Sequence, residues 1–245
     1  MTRSVANRLF EWGPVGARSA SGCVVVIVDV LRFSTSVEAA TSRGAIVYPA
    51  RWNDRTATRL ARSHGAVLAR STRDEGPSLS PLSMLTQHSG DAVVLPSPNG
   101  GACSLLASES GATGVIAACL RNAAAVGRAL RDVVEPVMVV ACGEQWPDGT
   151  LRPALEDLLG AGAVLSHLEG RPSLDARAAI AAWHDCEHSA SEALLSCRSG
   201  KALVGRGLIG DVSYAGDVGI SHVVPALRDG AFRAEARGDA KTRAT

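Results

Sequence analysis

The chain has 245 residues, 46% of them hydrophobic, with 25 Gly and 11 Pro. That is enough to bury a full core as one domain or two tightly associated halves, and it excludes a disordered or fibrous protein. Lys and Arg total 25 against 24 Asp and Glu, a formal net charge of +1, so no overall field draws in nucleic acid or an anionic membrane. With 3 Phe, 4 Trp and 2 Tyr, stacking platforms for single strands are scarce and the core must come from Ala, Val, Leu and Ile.

The longest near-continuous apolar runs, Cys23–Val28 and Pro136–Cys142, fall far short of the roughly 18 residues of a membrane span. The first residues lack the basic-then-apolar plan of a secretory signal, which makes the cytoplasm the expected compartment. Six cysteines show no CxxC spacing and read as reduced, small hydrophobes.

In chain order, short β-branched runs alternate with longer Ala/Leu/Arg-rich stretches. Strands are predicted at Cys23–Asp29, Ala45–Pro49, Ala66–Ala69, Ala92–Pro96, Gly114–Ala118 and Val137–Cys142. They are apolar on both parities, as in a parallel sheet covered on both faces. Helices are predicted at Thr35–Arg43, Asn53–Ser63, Cys103–Ser108, Asn122–Val133, Ala154–Leu168, Leu174–Trp183 and Ser189–Ser196. Ser71–Gln87 reads as a long excursion and Arg198–Gly230 as loop-rich. The expectation is an α/β chain with one domain over residues 1–232 and a polar tail over 233–245.

Ligands of open parallel sheets bind beyond the carboxyl ends of the strands, and three such junctions carry chemistry. In Val28-Asp29-Val30-Leu31-Arg32-Phe33-Ser34-Thr35 a carboxylate ends a strand and hydroxyls open a helix, with Thr35 and Glu38 spaced as a capping box. Asp29 can hold a cation, and Arg32 with the hydroxyls can hold an oxyanion; the bland account is an Asp29–Arg32 pair and ordinary caps. In Pro96-Ser97-Pro98-Asn99-Gly100-Gly101 two glycines before a helix allow a ligand close to the backbone, although neither a P-loop nor a dinucleotide fingerprint is present. In the third, Pro153 suits a first helical position, which puts Glu156 and Asp157 in the opening turn. Glu144, Glu156 and Asp157 share the sheet edge of Asp29, and carboxylates gathered on one rim call for a hard cation such as Mg²⁺. His184 and His188 are four apart, but Glu187 adjoins the second of them, so HExxH is absent and a solvated helix face is the simpler account.

Taken together, Val26–Thr35, Asn99-Gly100, Leu120-Arg121-Asn122-Ala123, Leu155–Ala163 and the ending Asp217…His222-Val223-Val224-Pro225…Gly230 resemble the 2-phosphosulfolactate phosphatases, in the family's order and over nearly the whole chain. The resemblance implies a three-layer α/β/α fold with a mostly parallel sheet. It also implies Mg²⁺-dependent hydrolysis of 2-phospho-3-sulfolactate, a step of coenzyme M synthesis. The chain departs from the family in Pro96-Ser97-Pro98 and Gly101, where Thr is usual, and keeps of the family's Gly-Asn-Ser-Pro signature only Ser80-Pro81, preceded by Leu79.

The expected site has Asp29, Glu156 and Asp157 on the metal, with Arg32, Ser34, Thr35, Asn99, Gly100 and Gly101 around the phosphoryl group. Arg121 and Arg152 would take the carboxylate and sulfonate, with Asn122 and Glu144 beside the substrate. The partner is thus a small anionic phosphorylated molecule, and a homo-oligomer is compatible with the sequence. The alternative is a non-catalytic sugar-phosphate or nucleotide-binding module.

Overall fold

In the computed structural model, residues 7–52, 55–70 and 76–235 are described. The chain opens with β1 (Asn7–Trp12), α1 (Gly13–Arg18), β2 (Val24–Val28), α2 (Phe33–Ser42), β3 (Ile46–Ala50), α3 (Arg55–Ser63) and β4 (Val67–Leu68). A short α4 (Pro81–Met84) leads into β5 (Ala92–Pro96), α5 (Gly100–Glu109), β6 (Gly114–Ala118), α6 (Ala123–Ala129) and β7 (Val137–Ala141). A small hairpin, β8 (Glu144–Gln145) and β9 (Leu151–Arg152), precedes α7 (Leu155–Ser166), β10 (Arg171–Pro172) and α8 (Leu174–Cys186). Then come α9 (Ala190–Ser196), α10 (Arg198–Gly205), α11 (Ile209–Ala215), β11 (Pro225–Arg228) and β12 (Ala231–Ala234).

Ten strands form one sheet in the order β10-β1-β7-β2-β6-β11-β12-β3-β5-β4. The run β10 to β6 is parallel, as is β3-β5-β4, and the antiparallel hairpin β11–β12 joins the two runs. The sheet is therefore mostly parallel, as expected. Its central strand β2 is VVVIV, buried at every position, because helices cover both faces. Val25, Ile27, Val47, Val93 and Phe232 point to one face with residues of α1, α2 and α5. On the opposite face, Val24, Val26 and Val28 meet α6, α7 and α8, while Tyr48 and Val94 meet α3. This is a three-layer α/β/α arrangement.

The small residues of α7 explain how tightly these layers close. A Cβ on Gly160 would lie 2.6 Å from Val30 and 2.8 Å from Val28, and one on Gly162 would strike the Ala179 carbonyl of α8. Close approach of this kind is what glycine permits.

The six predicted strands are present within a residue or two at each end, and several other expectations are corrected. Arg198–Gly230, expected to be loop-rich, holds α10, α11 and β11. The β11–β12 link is a two-residue turn, Asp229-Gly230, with φ of 51° and 78°, the Asp-Gly signature of a type I′ hairpin. Arg233 and Ala234, assigned to the tail, belong to β12, and 236–245 lie outside the described residues. The helix predicted at Cys103 starts at Gly100. The helix predicted over Asn122–Val133 ends at Ala129. The start expected at Asn53 falls on residues outside those described. β1 and α1 were not predicted at all. Among the described residues, no helix is long and apolar enough to cross a membrane, and all six cysteines are free.

Candidate active site

Asp29 follows directly on β2 and is buried. Its Oδ1 accepts the Phe33 N–H at 3.0 Å and its Oδ2 the Gly100 N–H at 2.9 Å. These are the first residues of α2 and α5, so the unpaired, positive ends of two helices converge on one carboxylate. Glycine is required there, since a Cβ on Gly100 would lie 2.8 Å from Asp29 Oδ2 and against the Phe33 ring. Burial, and next the charge of Glu144, push the Asp29 carboxyl up to about 7, with the two backbone N–H bonds opposing the rise.

This arrangement replaces the expected capping box. Helix α2 starts at Phe33, ahead of Thr35, because Asp29 itself receives the orphan N–H. Ser34 Oγ donates to the Ile27 carbonyl and accepts the Asp29 N–H, and Thr35 Oγ1 donates to the Val30 carbonyl. Both hydroxyls are fully buried and brace the turn. Arg32 does not pair with Asp29. Its Nη1 lies 2.7 Å from Asp211 Oδ2 on α11, a fully buried carboxylate that also accepts from Ser80 Oγ. The Leu31–Arg32 peptide is cis.

Glu156 and Asp157 occupy the first turn of α7 as expected, although Leu155 is the first helical residue and Pro153 lies outside the helix. Asp157 accepts the Val30 N–H at Oδ1 and the Gly143 N–H at Oδ2, both at 2.8 Å, and so ties the end of β2 to the end of β7. Burial, followed by the charge of Asp29, raises its carboxyl well above the ordinary range. Glu156 is 2% exposed, and its Oε2 has no hydrogen-bond partner among the described residues. Beside it the Cys197 thiol is driven up to about 12, first by burial and then by the Glu156 charge.

Among the described residues no group of three or more His, Cys, Asp or Glu stands in metal-holding geometry. The donors nonetheless suit a hard cation. A buried, orphaned carboxylate oxygen calls for a partner, Asp29 and Glu156 offer only oxygen, and Mg²⁺ characteristically takes one or two carboxylates and completes its shell with water and substrate oxygens.

Asp29 opens into a cavity of about 500 Å³ that is also lined by Arg32, Ser97, Asn99, Glu144, Trp146 and Arg152. Asn99 Nδ2 donates to Glu144 Oε2 at 3.0 Å, which ties the loop after β5 to the β8–β9 hairpin. Arg152 faces Glu144 across that hairpin and donates to Ser199 Oγ at 2.9 Å.

Arg121 and Asn122 sit elsewhere. Arg121 is buried between Glu38 (2.9 Å) and Asp217 (3.0 Å), with its guanidinium over the Tyr214 ring. Asn122 binds the backbone of Cys119, Ala117 and Val223. Neither lines the cavity. At Gly101 a Cβ would strike the Ala50 carbonyl, so this residue serves the contact of α5 with β3. His188 is exposed, and both His184 and His188 face Glu187, at 3.3 and 3.6 Å.

Sequence reading missed Asp211, Trp146, Arg198 and Arg206. The last two had a signal: Arg198, Ala202 and Arg206 recur every four residues, the spacing of one helix face, and all three line the cavity.

Comparison with known proteins finds relatives of this chain. Residues 15–230 match the family model described as 2-phosphosulpholactate phosphatase. A 2-phosphosulfolactate phosphatase of Methanothermobacter thermautotrophicus is 31% identical over 208 residues, covering 84% of this chain and 87% of the relative. A probable 2-phosphosulfolactate phosphatase of Thermus thermophilus is 31% identical over 220 residues, covering 84% and 88%. The matched span contains every residue around Asp29 described above, and the chain belongs to the 2-phosphosulfolactate phosphatase family.

Proposed function

We propose that this chain hydrolyses 2-phospho-3-sulfolactate, or a closely related small phosphorylated hydroxy acid, to the free hydroxy acid and phosphate, with Mg²⁺ as the ion. The observation that carries the reading is the convergence of two helix N-termini on buried Asp29 at the floor of an arginine-lined cavity. The relatives' names supply the substrate.

Asp29 and Glu156 are the residues proposed to hold the ion, which when bound supplies positive charge against the phosphoryl oxygens. Asp157 acts one step back, fixing the loops that carry Asp29 and Gly143. Arg32, held by Asp211, offers its remaining N–H groups to the phosphoryl group without having to be ordered first. Asn99 fixes Glu144 at the rim. Arg152, positioned by Ser199, is the partner proposed for the substrate carboxylate. Water replaces the C2 oxygen on phosphorus, and that oxygen leaves with a proton as the hydroxyl of the product.

Phosphate release from a panel of phosphorylated hydroxy acids, with Mg²⁺ and with EDTA, tests this. The expected result is turnover of 2-phospho-3-sulfolactate that EDTA abolishes. Binding of the panel without any release would replace the reading with that of a binding module.

A further inference from the structure

Besides Asp29 and Arg32, the cavity is lined by cations that the phosphoryl chemistry does not use. Arg198, the first residue of α10, and Arg206, just past its end, both line it together with Asp29. Arg32 and Arg121 are neutralised by buried carboxylates. Among the described residues, Arg152, Arg198 and Arg206 have no carboxylate partner at all. The Arg198 guanidinium lies 4.7 Å from the centre of the Trp146 ring and that of Arg152 lies 5.9 Å from it, so one indole orients two cations. Unpaired guanidinium groups held on an aromatic plate at a cavity wall suit a fixed, exogenous oxyanion.

We propose that Arg198, stacked on Trp146 and assisted by Arg206, binds the second strong-acid group of the substrate, the sulfonate, and so determines specificity for sulfonated over plain phosphohydroxy acids. This rests on the proposed phosphatase function. The placement follows from what each cation already holds: Arg32 adjoins Asp29 at the phosphoryl end, Arg152 is tethered to Ser199 beside Glu144, and Arg198 with Arg206 is left for the remaining anion. A sulfonate has three oxygens and stays ionised throughout the useful pH range, so a permanently charged, several-donor partner fits it.

The test compares kcat/KM for 2-phospho-3-sulfolactate and for 2-phospholactate, which has a methyl group where the sulfonate arm stands, in the wild type, Arg198→Met and Arg206→Met. Methionine keeps the apolar stem, and Arg198 and Arg206 are exposed, so the fold is retained. The expected result is a loss of roughly 10- to 100-fold on the sulfonated substrate for Arg198→Met, a smaller loss for Arg206→Met, and less than about 3-fold change on 2-phospholactate for either. Arg198→Lys should recover part of the loss, and Trp146→Leu should reproduce it in milder form. Equal losses on both substrates, or no loss on either, would overturn the assignment while leaving the phosphatase function standing. If the wild type releases phosphate from neither substrate, the proposed function itself fails and takes this assignment with it.

Discussion

The acidic wall and the arginine wall of the cavity are built by opposite means. On the acidic side, Asp29, which lines the cavity, and Asp157, buried and not among the lining residues, each accept two backbone N–H bonds from separate segments, so their positions are set by the sheet and by the helices that start beside it. On the other side, Arg152 and Arg198 are held by a short hairpin, one serine and the face of Trp146. The first wall resists change because moving a carboxylate means moving strand ends. The second can be altered one side chain at a time. Chemistry common to phosphate monoesters belongs to the rigid wall, and discrimination among them to the adaptable one.

The rigid wall is most sensitive at Asp29. Asp29→Asn keeps the shape but removes the charge, and kcat should fall by on the order of 10³-fold or more with the circular dichroism spectrum unchanged. Near-normal turnover in that variant would remove Asp29 from the role given it.

Next is the glycine beneath it. Gly100→Ala forces a methyl group against Phe33 and Asp29 and should lower stability by about 1–3 kcal/mol. It should also lose activity, because α5 can no longer donate to Oδ2; urea unfolding alongside the assay separates the two effects.

The smallest effect is a pH dependence. Asp29 is raised to about 7 from an unfolded value of about 4, and Asp157 is raised in the same direction. The native protein therefore binds more protons than the unfolded chain across that window. In the absence of a divalent ion, stability is highest at its acid end and falls as pH rises toward 7. A cation that favours the charged carboxylates opposes the fall, so Mg²⁺ should raise the melting temperature more at pH 8 than at pH 5. A gain independent of pH would detach the ion from these acids.

Much of the rigid wall was legible in the sequence, and little of the adaptable one. Asp29, Glu156 and Asp157 stand at strand ends and in a first helical turn, and local pattern finds such places. Which partners they take was not legible: the N–H groups of Phe33 and Gly100 reach Asp29 only because two helices that start far apart in the chain meet over one strand. Arg121 misled for the same reason. Its place after a strand is that of a ligand-binding residue, yet Glu38 and Asp217, 83 and 96 residues away along the chain, enclose it. The loop-rich composition of Arg198–Gly230 hid Arg198 and Arg206, although the four-residue repeat and the Asp229-Gly230 turn marked a helix and a hairpin there. A mostly parallel sheet covered on both faces followed from strands apolar on both parities, because burial on both sides leaves a period-independent signature; the three-layer arrangement was what the family resemblance implied.

The proposed chemistry depends above all on Asp29 and Glu156 holding a divalent ion together. Calorimetric titration of Mg²⁺ into the wild type, Asp29→Asn and Glu156→Gln at pH 8 addresses it most directly. A saturable binding event is expected in the wild type, lost in Asp29→Asn and greatly weakened in Glu156→Gln. Equal binding by all three proteins, or none by the wild type, would contradict it.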